Sequence, residues 1–158
     1  MTETDKKWME RAIEMAQNAA SIDEVPIGAV IVGPNGAFLS EASNRTITDI
    51  DPTAHAEILA LRIAAKLIKN YRLIGATVYS TIEPCAMCAG ALVNARIARL
   101  VFGAFDERFG GAVTHFGICS SDKLNHRIEI ESGVLAEECR TLMLDFFKAR
   151  RVKAQPSA

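Results

Sequence analysis

Residues 83–90 read EPCAMCAG, and they directly follow ATVYSTI at 76–82, which predicts a β-strand. Pro84 suits the first position of a helix, because its missing N–H would have no intrahelical partner there. Cys85 and Cys88 then stand three residues apart, as neighbours on one face of that helix. The positive end of the helix dipole favours thiolates, which are the form of cysteine that binds metals. The stretch therefore predicts a strand followed by a helix that begins with two candidate metal ligands.

A second motif lies upstream, where residues 52–58 read PTAHAEI. Apolar residues at helical spacing predict a helix that begins at about Thr53, so His55 also stands at a helix start. Two such units in an α/β fold can bring their helix starts together at one edge of the sheet. Glu57 follows His55 by two residues and does not share its helix face, so it can stand beside a metal without binding it.

The elements around these motifs alternate between strand and helix in the order α-β-β-α-β-α-β-β-α. This order favours an α/β fold, a sheet covered by helices on both faces, with the first strand pair antiparallel and the middle strands parallel. The remaining predicted elements are a helix from Thr4 or Asp5 to about Ala20, strands over 26–32, 37–42, 99–105 and 126–131, loops over 43–53 and 106–125, and a helix over 134–152.

Length and composition fit one domain over residues 1–158, of which we expect the last few to be disordered. Hydrophobic residues make up 49% and charged residues 23%, as in ordinary globular proteins. The chain has no run of 18 apolar residues, and its first 17 residues are amphipathic and partly acidic, unlike a secretory signal. We therefore expect a cytoplasmic protein, in which a C-x-x-C pair is more often metal-binding or catalytic than disulfide-bonded.

The candidate ligands leave several kinds of site open. Three protein ligands are typical of catalytic zinc, which keeps one position for water, whereas structural zinc usually has four. A thioredoxin-type redox pair is a further alternative, but it leaves His55 and Glu57 without a role. Glu57 taken alone could be a first-turn acid favoured by the helix dipole. A closed structural site would take its fourth ligand from His115, Cys119, His126 or Cys139.

Charge is unevenly distributed although the net charge is −1. The first 61 residues carry ten Asp/Glu against four Lys/Arg, and the remainder is basic. Basic clusters can guide a polyanion such as RNA, or they can be solvated helix faces. Two clusters stand out: Arg62, Lys66, Lys69 and Arg72, and Lys148, Arg150, Arg151 and Lys153.

The two motifs together resemble the zinc-dependent nucleobase deaminases, which combine H-x-E with P-C-x-x-C and use the glutamate as an acid/base that does not bind the metal. Several longer stretches, which together span roughly residues 5–152, resemble the bacterial tRNA adenosine deaminases in particular. These are EVPIGAVIV at 24–32, DPTAHAEILALR at 51–62, NYRL at 70–73, EPCAMCAGAL at 83–92 and DFFKARR at 145–151.

This resemblance implies a cytidine-deaminase-like three-layer α/β/α fold with a five-stranded mixed sheet, and a homodimer with one zinc ion per subunit. It also implies hydrolytic conversion of the wobble adenosine of a tRNA anticodon stem-loop to inosine. The residues it implicates are His55, Cys85 and Cys88 as zinc ligands, Glu57 as the proton shuttle, and Asn44, Phe147 and Arg150 as contacts to the RNA. Considered individually, the last three also fit a turn residue, a core aromatic and a solvated helix end.

Two other functions remain open at this point. Deamination of a free base or nucleoside, such as guanine, cytosine or cytidine, would use the same zinc and glutamate. A zinc-stabilised RNA-binding module would keep the ligands but would have no use for Glu57. The chain departs from the family pattern in the 106–125 loop, where Gly111 and Ala112 are kept but Val113 and the residues after it differ, and at 42–44, which read ASN. These departures bear on contacts to the substrate rather than on the metal motifs.

Overall fold

The computed structural model describes residues 1–154, in which five strands and four α-helices alternate as predicted. The expectation for the last few residues concerns 155–158 and lies outside the described part. None of the described helices is long and apolar enough to cross a membrane. The elements are α1 (Glu3–Ser21), β1 (Gly28–Val32), β2 (Phe38–Ser43), α2 (Ala56–Ile68), β3 (Thr77–Ile82), α3 (Ala86–Asn94), β4 (Arg99–Ala104), a short 3-10 turn (Ile118–Ser120), β5 (Glu129–Ser132) and α4 (Ala136–Ala154).

The five strands form one mixed sheet in the order β2-β1-β3-β4-β5. Strand β1 is antiparallel to both of its neighbours, and β4 is parallel to both β3 and β5. The prediction of an antiparallel first pair followed by parallel strands is therefore confirmed. Parallel pairing needs crossover connections, and α3 and the segment after β4 supply them.

Strand β1 shows how the sheet separates two helical layers. Successive side chains on a strand point to opposite faces, and every residue of β1 is buried. Ala29 and Ile31 join a core that contains residues of α2 and α3, whereas Val30 and Val32 join a core that contains residues of α1 and α4. The sheet is thus covered on both faces, which confirms the three-layer prediction.

Helix α1 begins earlier than predicted. The Oγ1 atom of Thr2 accepts a hydrogen bond from the backbone N–H of Asp5 at 3.0 Å, so Thr2 is the N-cap. The prediction of a cap at Thr4 or Asp5 was therefore wrong. Asp5 is buried instead, where its carboxylate accepts hydrogen bonds from Arg99 at 2.7 and 2.8 Å and from Tyr79 at 2.9 Å.

The helices that carry the two motifs begin later than predicted. Helix α2 starts at Ala56 with His55 as its N-cap, because Thr53 is held in a turn by hydrogen bonds from its N–H and hydroxyl to Asp51. Helix α3 starts at Ala86 with Cys85 as its N-cap, so Pro84 precedes the helix rather than opening it. Both helices lie on the same face of the sheet. Each of them has a candidate ligand as its N-cap, His55 for α2 and Cys85 for α3.

Candidate active site

The structure brings together the three candidate ligands at the starts of α2 and α3. The Nδ1 atom of His55 lies 3.6 Å from Sγ of Cys85 and 3.5 Å from Sγ of Cys88. The ligand atoms of these three residues all lie within 4.8 Å of one another, which is close enough for one metal ion. Cys88 is fully buried, whereas His55 and Cys85 are half-buried, so the cluster is reachable from one side.

The four residues considered as a fourth ligand have other partners. Nε2 of His115 lies 2.6 Å from the carbonyl oxygen of Glu107, and Nε2 of His126 lies 2.7 Å from that of Ile97. Cys119 and Cys139 are buried in the two hydrophobic cores. Within residues 1–154 the metal-ligand cluster thus consists of three residues, which is the composition of a catalytic rather than a closed structural site.

The electrostatics of the cluster favour a bound cation. The Cys88 thiol and then His55 lower the pKa of Cys85, and although burial opposes them the pKa falls to about 4. The same pairing and burial raise the pKa of Cys88 well above its usual range. Two sulfur atoms this close share one proton unless a cation neutralises both thiolates. Two thiolates and one neutral imidazole are a ligand set for zinc and related metals.

Glu57 lies in the first turn of α2, and its side chain is 3% exposed. Burial raises the pKa of Glu57 above its ordinary value, and the nearby Cys85 adds to this effect, while its own backbone N–H and His55 oppose it. Its carboxylate oxygens do not belong to the group of ligand atoms formed by the histidine and the two cysteines. A hydrogen bond with the Cys88 side chain, which also lowers the pKa of Glu57, puts the carboxyl group beside the cluster, where it can exchange a proton.

A second carboxylate at the site, Glu83, is also 3% exposed but is surrounded by hydrogen-bond donors. Its oxygens accept from the backbone N–H groups of Asp106, Val113 and Thr114 at 3.2, 2.9 and 2.8 Å, and from Oγ1 of Thr114 at 2.5 Å. Burial alone would raise the pKa of Glu83, but these bonds outweigh it and hold the pKa below its ordinary value. Sequence reasoning missed this contact, although Glu83 adjoins the Pro-Cys pair.

Glu24 was also missed, and it binds the loop that leads to His55. It is fully buried, and its carboxylate accepts hydrogen bonds from the backbone N–H groups of Ile47 and Thr48 at 3.2 and 2.6 Å. Each of the two loops beside the metal-ligand cluster is thus bound by one buried carboxylate. The contacts join residues 23 to 31 positions apart, so no local sequence pattern could have indicated them.

The residues expected to contact RNA lie in elements other than α2 and α3, which carry the cluster. Asn44 follows β2, is 5% exposed, and donates its backbone N–H to the carbonyl of Ile27. Phe147 and Arg150 lie one turn apart on α4, which packs on the sheet face opposite α2 and α3. Phe147 is 41% exposed rather than a core aromatic, and Arg150 lies over the ring of Phe146 at 5.0 Å.

Comparison with known proteins agrees with this geometry. The family model described as MafB19-like deaminase matches residues 3–151. A tRNA-specific adenosine deaminase of Haemophilus influenzae is 49% identical over 150 residues, which cover 95% of this chain and 87% of that one. A protein of the same name from Bacillus subtilis is 44% identical over 149 residues, which cover 94% and 92%.

Solved structures give the same result for the fold. A structure from a study of A-to-I editing by tRNA:A34 deaminases at the wobble position of transfer RNA superposes with a TM-score of 0.83. It is 40% identical, and the match covers 86% of this chain and 98% of that one. The cytidine-deaminase-like fold predicted from the sequence is thus confirmed. The chain belongs to the family of tRNA-specific adenosine deaminases, within the MafB19-like deaminases.

Proposed function

We propose that the protein is a zinc-dependent hydrolase that deaminates adenosine to inosine at the wobble position of a tRNA anticodon. The observation that carries this proposal is a buried glutamate, Glu57, beside a cluster of three metal ligands that has no fourth protein ligand within residues 1–154. A redox pair or a structural zinc site would have no use for that carboxyl group. The names of the similar proteins support the choice of substrate.

The cluster fits zinc in ligand type and spacing. Zinc binds imidazole nitrogen at about 2.0–2.1 Å and thiolate sulfur at about 2.3 Å, and tetrahedral angles between them give nitrogen–sulfur separations of about 3.5 Å. The separations of Nδ1 of His55 from the two sulfur atoms are 3.6 and 3.5 Å. We therefore propose His55, Cys85 and Cys88 as the ligands of one zinc ion per subunit. Zinc at this position supplies Lewis acidity that lowers the pKa of a water molecule to roughly 7.

Glu57 performs the proton transfers of the reaction. Its carboxylate takes a proton from the attacking water and delivers it to N1 of the adenine, while the new C–O bond forms at C6. The carboxylate next takes the remaining water proton from the hydroxyl group on C6 and gives it to the exocyclic amine, so the C–N bond breaks, the C6 carbonyl forms and ammonia leaves. Adenosine and water are consumed, and inosine and ammonia are formed. Because the residue is 3% exposed, bulk water does not compete for this proton.

The remaining predicted residues would bind the RNA around the target nucleotide. We propose that Asn44 contacts the target nucleoside, and that Phe147 and Arg150 contact the anticodon stem-loop from α4. A base in a loop is cheaper to unstack than a paired base, which favours an anticodon loop as the substrate. A tRNA substrate also calls for a cytoplasmic enzyme.

We also propose that the protein is a homodimer, as the resemblance implies. Exposed apolar side chains on α2 and α3 support this, since Ile63, Leu67 and Met87 are 49%, 59% and 37% exposed. Light scattering coupled to size exclusion would measure the mass in solution against the 17.2 kDa of one chain. A mass of one chain at micromolar concentration would contradict the proposed homodimer.

The experiment that tests the proposed function is a panel of substrates with the zinc-loaded protein. An RNA hairpin with adenosine at the wobble position of an anticodon loop is incubated beside free adenosine, cytidine, cytosine and guanine, and products are identified by mass spectrometry. We expect inosine in the hairpin and no deamination of the free compounds. Deamination of a free base alone would keep the zinc chemistry and overturn the substrate.

A further inference from the structure

The turn between β3 and α3 holds, through the side chain of Glu83, the loop over residues 105–117, which connects β4 to the short 3-10 turn. Four donors converge on its carboxylate: the backbone N–H groups of Asp106, Val113 and Thr114, and the hydroxyl of Thr114. Every one of these neighbours is a donor, so a carboxylate satisfies them all. An amide in the same place would direct its own N–H groups toward at least one of them.

The backbone of the same turn binds the loop a second time. The carbonyl oxygen of Pro84 accepts from the N–H groups of Gly111 and Ala112 at 2.9 and 3.2 Å, and Cys85 forms an isolated β-bridge with Gly110. A Cβ atom on Gly111 would lie 2.5 Å from the backbone nitrogen of Ala86, the first residue of α3. Only glycine allows the loop to approach the start of α3 this closely.

These contacts surround one of the ligands. Glu83 and Pro84 precede Cys85 directly, and the N–H of Glu83 is itself fixed by the carbonyl of Ala104 at 2.8 Å. The loop therefore packs against the backbone that carries the Cys85 side chain. Because a cysteine ligand has only one rotatable bond between backbone and sulfur, the backbone of Cys85 determines where Sγ lies.

We propose that Glu83 is a positioning residue, which holds the 105–117 loop against the Cys85 turn and thereby sets the geometry of the metal site. It does not touch the substrate or the metal, and it acts through the loop and the backbone of Cys85. This role rests on the proposed zinc centre and adds a buried anchor that the motif residues alone do not contain. Outer partners of metal ligands typically change affinity by about tenfold to a hundredfold when they are lost.

The test compares zinc affinity and loop protection in Glu83→Gln and in the unaltered chain. Zinc affinity is measured by competition with a chromophoric chelator, the ligand field by the absorption spectrum of the cobalt(II)-loaded protein, and loop protection by hydrogen exchange of the Val113 and Thr114 amides. We expect about tenfold or greater weakening of zinc binding, an altered cobalt spectrum, and faster exchange at both amides.

Two further variants separate positioning from general destabilisation. Gly111→Ala displaces the loop while leaving the Glu83 carboxylate intact, so it should weaken zinc binding to a similar extent, and it decides the matter if Glu83→Gln does not fold. Asp5→Asn alters another buried carboxylate, on the opposite face of the sheet, and should leave zinc affinity and the cobalt spectrum unchanged.

The possible outcomes are distinct from those of the substrate panel, because none of these measurements needs a substrate. Wild-type zinc affinity and cobalt spectrum in folded Glu83→Gln, or in Gly111→Ala if the former does not fold, would overturn the proposal. An equal loss of zinc affinity in Asp5→Asn would overturn it as well, since the effect would then follow stability alone. Absence of adenosine deamination by the unaltered chain would refute the proposed function without bearing on Glu83.

Discussion

Glu57 and Glu83 are two glutamates with the same exposure, 3%, and both lie within a few residues of a proposed zinc ligand. Their surroundings differ in the number of hydrogen-bond donors. Donors from the 105–117 loop hold the pKa of Glu83 below its ordinary value although burial opposes them. Burial dominates at Glu57 and raises its pKa. The first carboxylate is locked as an anion that anchors a loop, and the second can take up and release a proton.

The comparison teaches that burial does not by itself assign a role to a carboxylate. A buried carboxylate whose oxygens are all satisfied by donors is stabilised in its charged form and serves structure. One that is desolvated with few donors is the kind found in proton transfer. The proposed difference between the two residues can be tested by variants that remove first the metal, then the proton carrier, then the RNA contact, and last a distant carboxylate.

The largest effect is expected for His55→Ala. Loss of one of three protein ligands should remove zinc from the purified protein, as measured by elemental mass spectrometry, and turnover should become undetectable. His126→Ala is the matched control, because its imidazole bonds to the carbonyl of Ile97 rather than to the cluster. A fully metallated His55→Ala protein would contradict the proposed ligand set. It would also contradict the proposal that Glu57 lies beside a zinc ion held by these residues.

Glu57→Gln should have the next largest effect, with a different signature. The amide keeps the size of the side chain but cannot carry the proton, so kcat should fall by about 10²–10⁴ while zinc content stays at one ion per chain. Single-turnover inosine formation and metal analysis on the same sample measure both quantities. Unchanged kcat in this variant would mean that the proton carrier lies elsewhere and that Glu57 resembles Glu83 in function.

A smaller effect is expected for Arg150→Ala on α4. If its guanidinium meets an RNA phosphate, KM for the hairpin should rise severalfold with kcat unchanged, and the slope of log affinity against log salt should fall by roughly 1. Arg140→Ala is the control, since this residue pairs with Glu137 nearer the start of the same helix. Equal effects of the two variants would indicate general electrostatics rather than a defined contact.

The smallest effect on activity, essentially none, is expected for Asp5→Asn. The hydrogen bonds from Arg99, opposed by burial, lower the pKa of Asp5 from 3.8 to about 2. A lowered pKa contributes stability that is present above about pH 4 and is lost as the pH falls through about 2, here about 2 kcal/mol. Urea unfolding of the metal-free wild type and variant should show a stability difference at pH 7 that shrinks by that amount near pH 2, while kcat at pH 7 stays the same.

The part of the molecule that the sequence could predict is the part encoded locally. The order of strands and helices along the chain and both covered faces follow from hydrophobic periodicity, and the clustering of His55 with Cys85 and Cys88 follows from two motifs at helix starts. The helix boundaries were less accurate, because Thr2 rather than Thr4 or Asp5 caps α1, and Asp51 holds Thr53 in a turn ahead of α2. The roles given to Asn44 and the α4 residues remain predictions.

What could not be predicted depends on contacts between distant residues. Asp5 pairs with Arg99 across 94 positions, and Glu83 meets the loop across 23 to 31. No sequence pattern links Asp5 or Glu83 to its distant partners. From the sequence alone, each could equally well be an exposed acidic residue. The donor count that separates Glu83 from Glu57 exists only once the loop is folded over the start of α3.

The most direct test of the central claim is the position of the inosine that the zinc-loaded protein makes. Two RNA hairpins would be compared, one with adenosine at the wobble position and one with that adenosine exchanged with its neighbour in the anticodon loop, and each product sequenced by mass spectrometry. The account predicts inosine at the wobble position of the first hairpin and little or none in the second. Equal deamination of both hairpins, or of neither, would contradict it.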